Sequence, residues 1–445
     1  MPKNPPITQP SKKPKIIEGL ASRGAALDIL RLLRSGLALD EALSVSKTFE
    51  SLEGADRGFA RALVMTVLRR RNTLDEIYAP FLDRPLKPNQ HEVRTILRLA
   101  AAQIIFLETP PHAAASTAVD LARERRETAG FAKLINALCR RMAEADPERI
   151  KALPPRTDTP GWFWRKLERS HGAKAARTIA QVHASEPPLD LTFRTSADRD
   201  EWAEKLGAEP VGEVSLRQLD RGRTENIEGY EDGIWWVQDL AATLPARLAG
   251  DVAGKRVYDL CAAPGGKTMQ LAAAGADVTA VDISPSRMER LTANLQRTNL
   301  KATSFICDVL DWQPEDLADV VLLDAPCTAT GTVRRHPDLL WSKKEEDAEA
   351  LAVLQDRMLD HVTAMVAPGG LLIFATCSLL PEEGEERAAR FLKTHPEFER
   401  VPVTEEDVAG LPVINRDGDL RCTPAVLADK GGMDGFFAAR FRKKD

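Results

Sequence analysis

Five short apolar runs in the second half of the chain carry an acidic residue or a cysteine at, or just past, their ends. They are Arg256–Leu260, Val278–Asp282, Thr303–Ile306, Asp319–Asp324 and Leu371–Thr376. Runs of this length, dense in Val, Ile and Leu, predict strands buried on both faces. Helical stretches separate them. Between the last two, Leu351, Leu354, Met358, Val362 and Met365 recur at spacings of three and four, the period of a helix face. The alternation predicts an α/β fold over residues 236–445, with a doubly wound, mostly parallel sheet. Ligands of such sheets bind outside the carboxyl ends of the strands. Asp259, Asp282, Asp308, Asp324 and Cys377 fall there and are the first candidate site residues.

The 445 residues allow about three domains. Residues 20–150 read as all-helical, from the spacing of Leu27, Leu30, Leu33 and Leu37, of Phe59, Leu63, Val67 and Leu74, and of Val93, Ile96, Leu97, Ile104 and Ile105. Pro85, Pro88, Pro110 and Pro111 mark the connections. Residues 1–19, rich in proline and lysine, predict a disordered basic tail, and Leu153-Pro154-Pro155 predicts a linker. Residues 160–235 predict a small α+β unit, with a helix from Trp162 to His183 and a strand from Leu189 to Thr195.

No run of 18 or more apolar residues appears, so no membrane span is expected. The first residues lack the apolar centre of a signal peptide, which points to a cytoplasmic protein. None of the six cysteines forms a Cys-x-x-Cys pair, so neither zinc nor any other metal is expected. Cys139 and Cys307 read as small buried hydrophobes. The net charge of −5 hides an asymmetry. Residues 1–195 hold 32 Lys and Arg against 22 Asp and Glu, a net +10, whereas residues 196–445 sum to −15. A basic half is a footprint for nucleic-acid phosphate; the bland alternative is arginine-rich solvated helix faces.

Cys261-Ala262-Ala263-Pro264-Gly265-Gly266-Lys267 follows the first predicted strand. Paired glycines let a ligand approach the backbone and open a helix whose amide end faces it. A phosphate loop requires glycine where Cys261 stands, so an ATPase is the lesser reading. Asp282 is placed to accept from ribose hydroxyls, or else to cap the helix that begins at Ser284-Pro285. Asp308 would reach the far side of the same pocket. A nucleoside cofactor without a polyphosphate cradle favours S-adenosylmethionine over NAD or ATP. Asp324-Ala325-Pro326-Cys327 and Thr376-Cys377-Ser378 enter the same crevice. A thiolate adding to C6 of cytosine makes C5 able to accept a methyl group, and a second thiol can help to resolve the adduct. Core packing just past a strand is the alternative for each cysteine taken alone.

The segments Asp259–Thr268, Asp324–Thr332, Arg334–Asp338 and Ala375–Glu383 together resemble the RNA 5-methylcytosine methyltransferases. Val237-Gln238-Asp239 and Asp434-Gly435-Phe436-Phe437 fit the same pattern. Ala55-Asp56-Arg57-Gly58-Phe59 and Pro111-His112-Ala113 resemble a NusB-like RNA-binding domain. The combination is similar to the RsmB (Sun) branch, which modifies small-subunit ribosomal RNA.

The resemblance implies a Rossmann-like, S-adenosylmethionine-dependent methyltransferase fold over 236–445. An all-α NusB-like domain at 20–150 and an RNA-recognition-like unit at 160–235 would precede it. It implies Cys377 as the nucleophile, Cys327 as the thiol that assists release, and Asp324 at the ring and the donor. Cys261, Ala262, Ala263, Pro264, Gly265, Gly266 and Lys267, with Asp282 and Asp308, would hold S-adenosylmethionine. A monomer acting on small-subunit ribosomal RNA is expected; transfer RNA as substrate and a non-catalytic RNA-binding factor are the alternatives. Thr328, Leu340 and Gly384 depart from the family pattern, which has serine, lysine and asparagine there, and put local contacts in question.

Overall fold

A computed structural model describes residues 19–218 and 224–445. All of the expected basic tail but Gly19 lies outside them. The chain divides into two compact units, residues 1–154 and 155–445.

The first unit is helical throughout its described residues. Its longer helices are Leu20–Arg34, Gly54–Arg69, His91–Ile105, Pro111–Arg123 and Ala132–Ala143. The first helix differs from the expected stripe. Its buried face is Ser22, Ala25, Ala26, Leu27 and Ile29, whereas Leu30 and Leu33 are only half-buried and Leu37 lies beyond its end. The helix packs against Gly54–Arg69. Alanines suit such a contact because they let helix backbones approach closely, and a pattern search weighted to leucine passes over them. Leu63, Val67, Leu74, Val93, Ile96 and Leu97 are buried, while Phe59, Ile104 and Ile105 sit at the margin.

The second unit holds two sheets. The smaller comprises β1 (Leu189–Phe193), β2 (Glu209–Val211), β3 (Ser215–Gln218) and β4 (Trp235–Val237), antiparallel in the order β2-β3-β1-β4. β1 stops two residues short of the expected Thr195, whose hydroxyl accepts from the Asp198 amide and caps the helix Ser196–Leu206. Leu191, Phe193, Leu216 and Trp235 form its core. The helix Gly161–His183 bends at Gly172 (φ 81°), a conformation that glycine adopts without a Cβ clash.

The larger sheet contains β5 (Arg256–Leu260), β6 (Asp277–Asp282), β7 (Thr303–Ile306), β8 (Ala318–Asp324), β9 (Val366–Thr376), β10 (Phe398–Arg400), β11 (Leu420–Cys422) and β12 (Phe436–Lys443). The order is β10-β12-β9-β8-β5-β6-β7, with β11 beside β12. β5 to β9 are parallel; β10, β11 and β12 pair antiparallel. This is the doubly wound architecture, and the chain reverses direction across the sheet between β5 and β8. The crevice outside the carboxyl ends at such a switch point is where ligands bind. Strands β10 to β12 were not foreseen. The first six residues of β12 are all buried, so no in-out alternation marks it. β7 is exposed throughout, as an edge strand.

A buried charge network ties the two sheets together. Arg217 on β3 grips both oxygens of Asp190 on β1 at 2.8 Å, and Asp190 accepts from the Leu240 amide at 3.1 Å. Next to it, Asp239 caps the helix Leu240–Arg247 and pairs with Arg334. Arg334, fully buried, reaches Asp434 at 2.8 Å, and Arg335 pairs with the other oxygen of Asp434. The network holds three arginines and three aspartates, so its charges balance. Three motifs far apart in sequence meet in it.

Candidate active site

β5 delivers the glycine turn. Gly265 (φ 101°) caps the helix Gly266–Ala273, and a Cβ on it would lie 2.9 Å from Leu291 Cγ. Gly266 faces Gln238. The loop Cys261–Pro264 is fastened from beneath: the Ala262 amide donates to Val281 O at 3.1 Å and the Ala263 amide to Asp282 at 3.1 Å. Asp282, at the end of β6, also accepts from the Ser284 amide, while the helix cap itself is Ser284, not Asp282. Asp308 lies just past β7, half-exposed, with one oxygen on the Leu310 amide.

The turn is lined by carboxylates. Asp259 is wholly buried, takes the Thr268 hydroxyl at 2.6 Å on one oxygen, and has no described partner for the other. Burial pushes its pKa up to about 7, against the pull of Thr268 and Lys267. Asp259, Asp282 and Asp324 all bear on the Cys261 thiol, which burial and their charge push well up. Lys267 is taken up by Asp324 and Arg287 by Asp282 at 3.5 Å, so the turn has no spare cation for a polyphosphate among the described residues, and its carboxylates suit a nucleoside cofactor that carries positive charge. S-adenosylmethionine, with a sulfonium and an ammonium, fits that donor set.

The two thiols arrive side by side because β8 and β9 are parallel neighbours. Their pairing runs one residue past β8, where the Ala325 amide donates to Ala375 O at 2.9 Å. Cys327 and Cys377 then meet with their sulfurs 3.5 Å apart. Contact with Cys377, burial and the charge of Glu383 raise the Cys327 pKa well above that of a free thiol. Lys267 donates to Asp324 at 2.8 Å and lies over the Phe436 ring at 4.9 Å. Burial works against its charge, but Asp324 and Asp259 outweigh this and raise its pKa; Cys377 contributes in the same direction. Lys267 thus links the glycine turn to the end of β8 and the start of β12, which its place in the glycine motif does not reveal.

Of the other cysteines, Cys139 is buried, with its thiol pushed up to about 12. Cys307, expected to be buried, is half-exposed and donates to Asp308 O at 3.3 Å. The departures also find physical settings. Leu340 is buried against Phe163, Trp164 and Leu167, where a lysine charge would be desolvated. A Cβ on Gly384 would lie 2.8 Å from Phe437 Cγ, and Arg421 fills the rest of that space, donating to Ser378 O at 2.6 Å.

The fold and the site define a methyltransferase that depends on S-adenosylmethionine. The family model for the 16S rRNA methyltransferase RsmB/F matches residues 249–442, and the NusB family model matches residues 20–144. Ribosomal RNA small subunit methyltransferase B of Shewanella oneidensis is 31% identical over 432 residues, which cover 94% of this chain and 98% of that protein. The chain belongs to the 16S rRNA methyltransferase RsmB/F family. The crystal structure of PH0851 matches with a TM-score of 0.76 at 23% identity, covering 97% of this chain and 100% of that one. A methyltransferase homolog from Pyrococcus horikoshii matches with a TM-score of 0.51 at 23% identity, over 63% of this chain and 94% of its own. Both likenesses are of fold.

Proposed function

We propose that this protein methylates C5 of a cytosine in small-subunit ribosomal RNA through a covalent bond between Cys377 and C6 of the ring. The observation that carries this reading is the 3.5 Å pairing of Cys327 with Cys377 beside the Asp324–Lys267 ion pair. Methyl transfer to oxygen or nitrogen has no use for two thiols, whereas a carbon acceptor must first be activated. When bound, S-adenosylmethionine supplies an electrophilic methyl group. Cys261 to Lys267, Asp282 and Asp308 line its place. Cys377 adds to C6 and leaves C5 nucleophilic. Asp324 offers an acceptor and Lys267 a donor to the polar edge of the ring, where charge develops. Once C5 carries the methyl group its proton passes to water, the C5–H electron pair restores the C5–C6 double bond and expels Cys377, and the Cys327 thiol, 3.5 Å away, hands a proton to the departing sulfur and regains one from solvent.

Attack on the ring face requires an unstacked base, which costs a few kcal/mol, least in a single strand. The choice of ribosomal RNA rests on the near full-length likeness to the Shewanella protein. The test incubates Cys377→Ala and Cys327→Ala with labelled cofactor and either ribosomal or transfer RNA. Cys377→Ala loses transfer. Cys327→Ala accumulates a protein–RNA adduct that survives denaturing electrophoresis. Wild-type turnover by Cys377→Ala would overturn the chemistry, and labelling of transfer RNA alone would overturn the substrate.

A further inference from the structure

Glu383 takes no part in the chemistry just described, yet it is completely buried and its carboxylate is enclosed by donors from both thiol loops. On the Cys327 side, the Thr328 amide donates to one oxygen at 2.8 Å and the Thr328 hydroxyl to the other. On the Cys377 side, the Ser378 hydroxyl donates at 2.6 Å to the same oxygen as the Thr328 hydroxyl. The Gln355 side-chain amide donates a hydrogen bond at 3.3 Å to the first oxygen, and the same nitrogen donates to Pro326 O at 3.0 Å. The Glu383 backbone carbonyl accepts from Thr376, the residue before Cys377, at 2.9 Å. One side chain therefore fastens the residue after each cysteine to a common point, in a segment that no strand spans.

We infer that Glu383 is a positioning residue that sets the distance between the Cys327 and Cys377 sulfurs, through its bonds to Thr328 and Ser378. This rests on the two-thiol reading above, whose geometry it explains. Thr328, where the family pattern has serine, fits the same role because it keeps the hydroxyl that Glu383 needs. The acceptor geometry, rather than the charge, does the fastening. A glutamine can present its oxygen to the Thr328 amide and its amino group to the two hydroxyls, which then accept instead of donating. An alanine leaves the Thr328 amide and both hydroxyls without that partner.

The test uses a probe that needs neither RNA nor turnover. Phenylarsine oxide bridges two thiols only when they are adjacent, so its affinity reports the sulfur–sulfur geometry. Wild-type protein binds it tightly, and Cys327→Ala and Cys377→Ala do not. Glu383→Gln keeps wild-type affinity for the arsenical and wild-type methyl transfer. Glu383→Ala weakens arsenical binding and lowers kcat, each by about tenfold or more, with S-adenosylmethionine affinity unchanged, as misplacement of reacting groups by about 1 Å would produce. If Glu383→Ala does not fold, Ser378→Ala cuts only the Cys377-side bond and shows the same pair of losses in smaller measure. Unchanged arsenical affinity in Glu383→Ala, or in Ser378→Ala where that variant stands in, overturns the inference, as does a Glu383→Gln variant as impaired as the alanine. Normal methyl transfer by Cys377→Ala would instead sink the two-thiol chemistry while leaving the arsenical result readable.

Discussion

Cys327 and Cys377 meet with their sulfurs 3.5 Å apart, each just past a strand of the parallel sheet. Both are half-buried; Glu383 holds the residue after each, Thr328 and Ser378, and the charge of Lys267 is favoured by Cys377. The sequence alone could name both cysteines, because each follows an apolar run. It could not show that Lys267 turns away from the glycine motif toward Asp324, since that depends on two strands becoming neighbours. A second titratable group bears on stability. His183 is buried, with neither ring nitrogen partnered among the described residues. Burial, helped by Arg334, lowers its pKa to about 3. The unfolded chain therefore binds a proton near pH 6.5 that the folded chain refuses. The stability this group contributes is intact above about pH 6.5 and falls by about 1.4 kcal/mol for each pH unit below it, down to about pH 3. Asp259, raised to about 7, acts in the opposite direction over the same range, so the test is a difference: in urea melts from pH 7 to pH 4, wild type should lose stability relative to His183→Leu as the pH falls.

At the scale of elements, the loop after β8, the loop after β9 and the entry to β12 cross at two glycines. The Gly331 amide donates to Cys377 O at 2.9 Å, and the Gly435 amide donates to Gly331 O at 2.8 Å. A Cβ on Gly331 would lie 2.6 Å from the Gly435 carbonyl carbon. Gly331→Ala must push the two segments apart, so we expect a loss of about 2 kcal/mol or more in a denaturant melt, in the range of overpacked cores, together with reduced methyl transfer. A variant as stable and as active as the wild type would refute the crossing. The parallel strands β5 to β9 were legible because long apolar runs ending in Asp or Cys have few other interpretations. β10 to β12 were not, since two have only three residues and the third contains no Val, Ile or Leu and is interrupted by Arg440 and Arg442. The first helix is legible in the sequence but its buried face is not, because alanine carries little weight in a hydrophobic pattern.

For the whole molecule, charge and chemistry lie in different units. Residues 1–154 hold 25 Lys and Arg against 18 Asp and Glu, while residues 155–445 hold 36 against 48. A unit of net charge −12 gains little from a polyanion over its surface as a whole, so RNA affinity should lean on the first unit. Removing residues 1–154 should weaken RNA binding by about tenfold or more and flatten its dependence on salt, while S-adenosylmethionine binding persists. An unchanged salt slope in filter-binding assays would overturn this division. The sheet order adds a consequence in time. β12 is the last strand in chain order, yet it lies inside the sheet between β9 and β10, and Asp434, just before it, closes the buried charge network. During translation every thiol and carboxylate of the site is made before the strand that braces them. A nascent chain halted short of Phe436 would possess the whole chemical inventory and no working enzyme. The basic first unit, by contrast, is complete long before that strand is released.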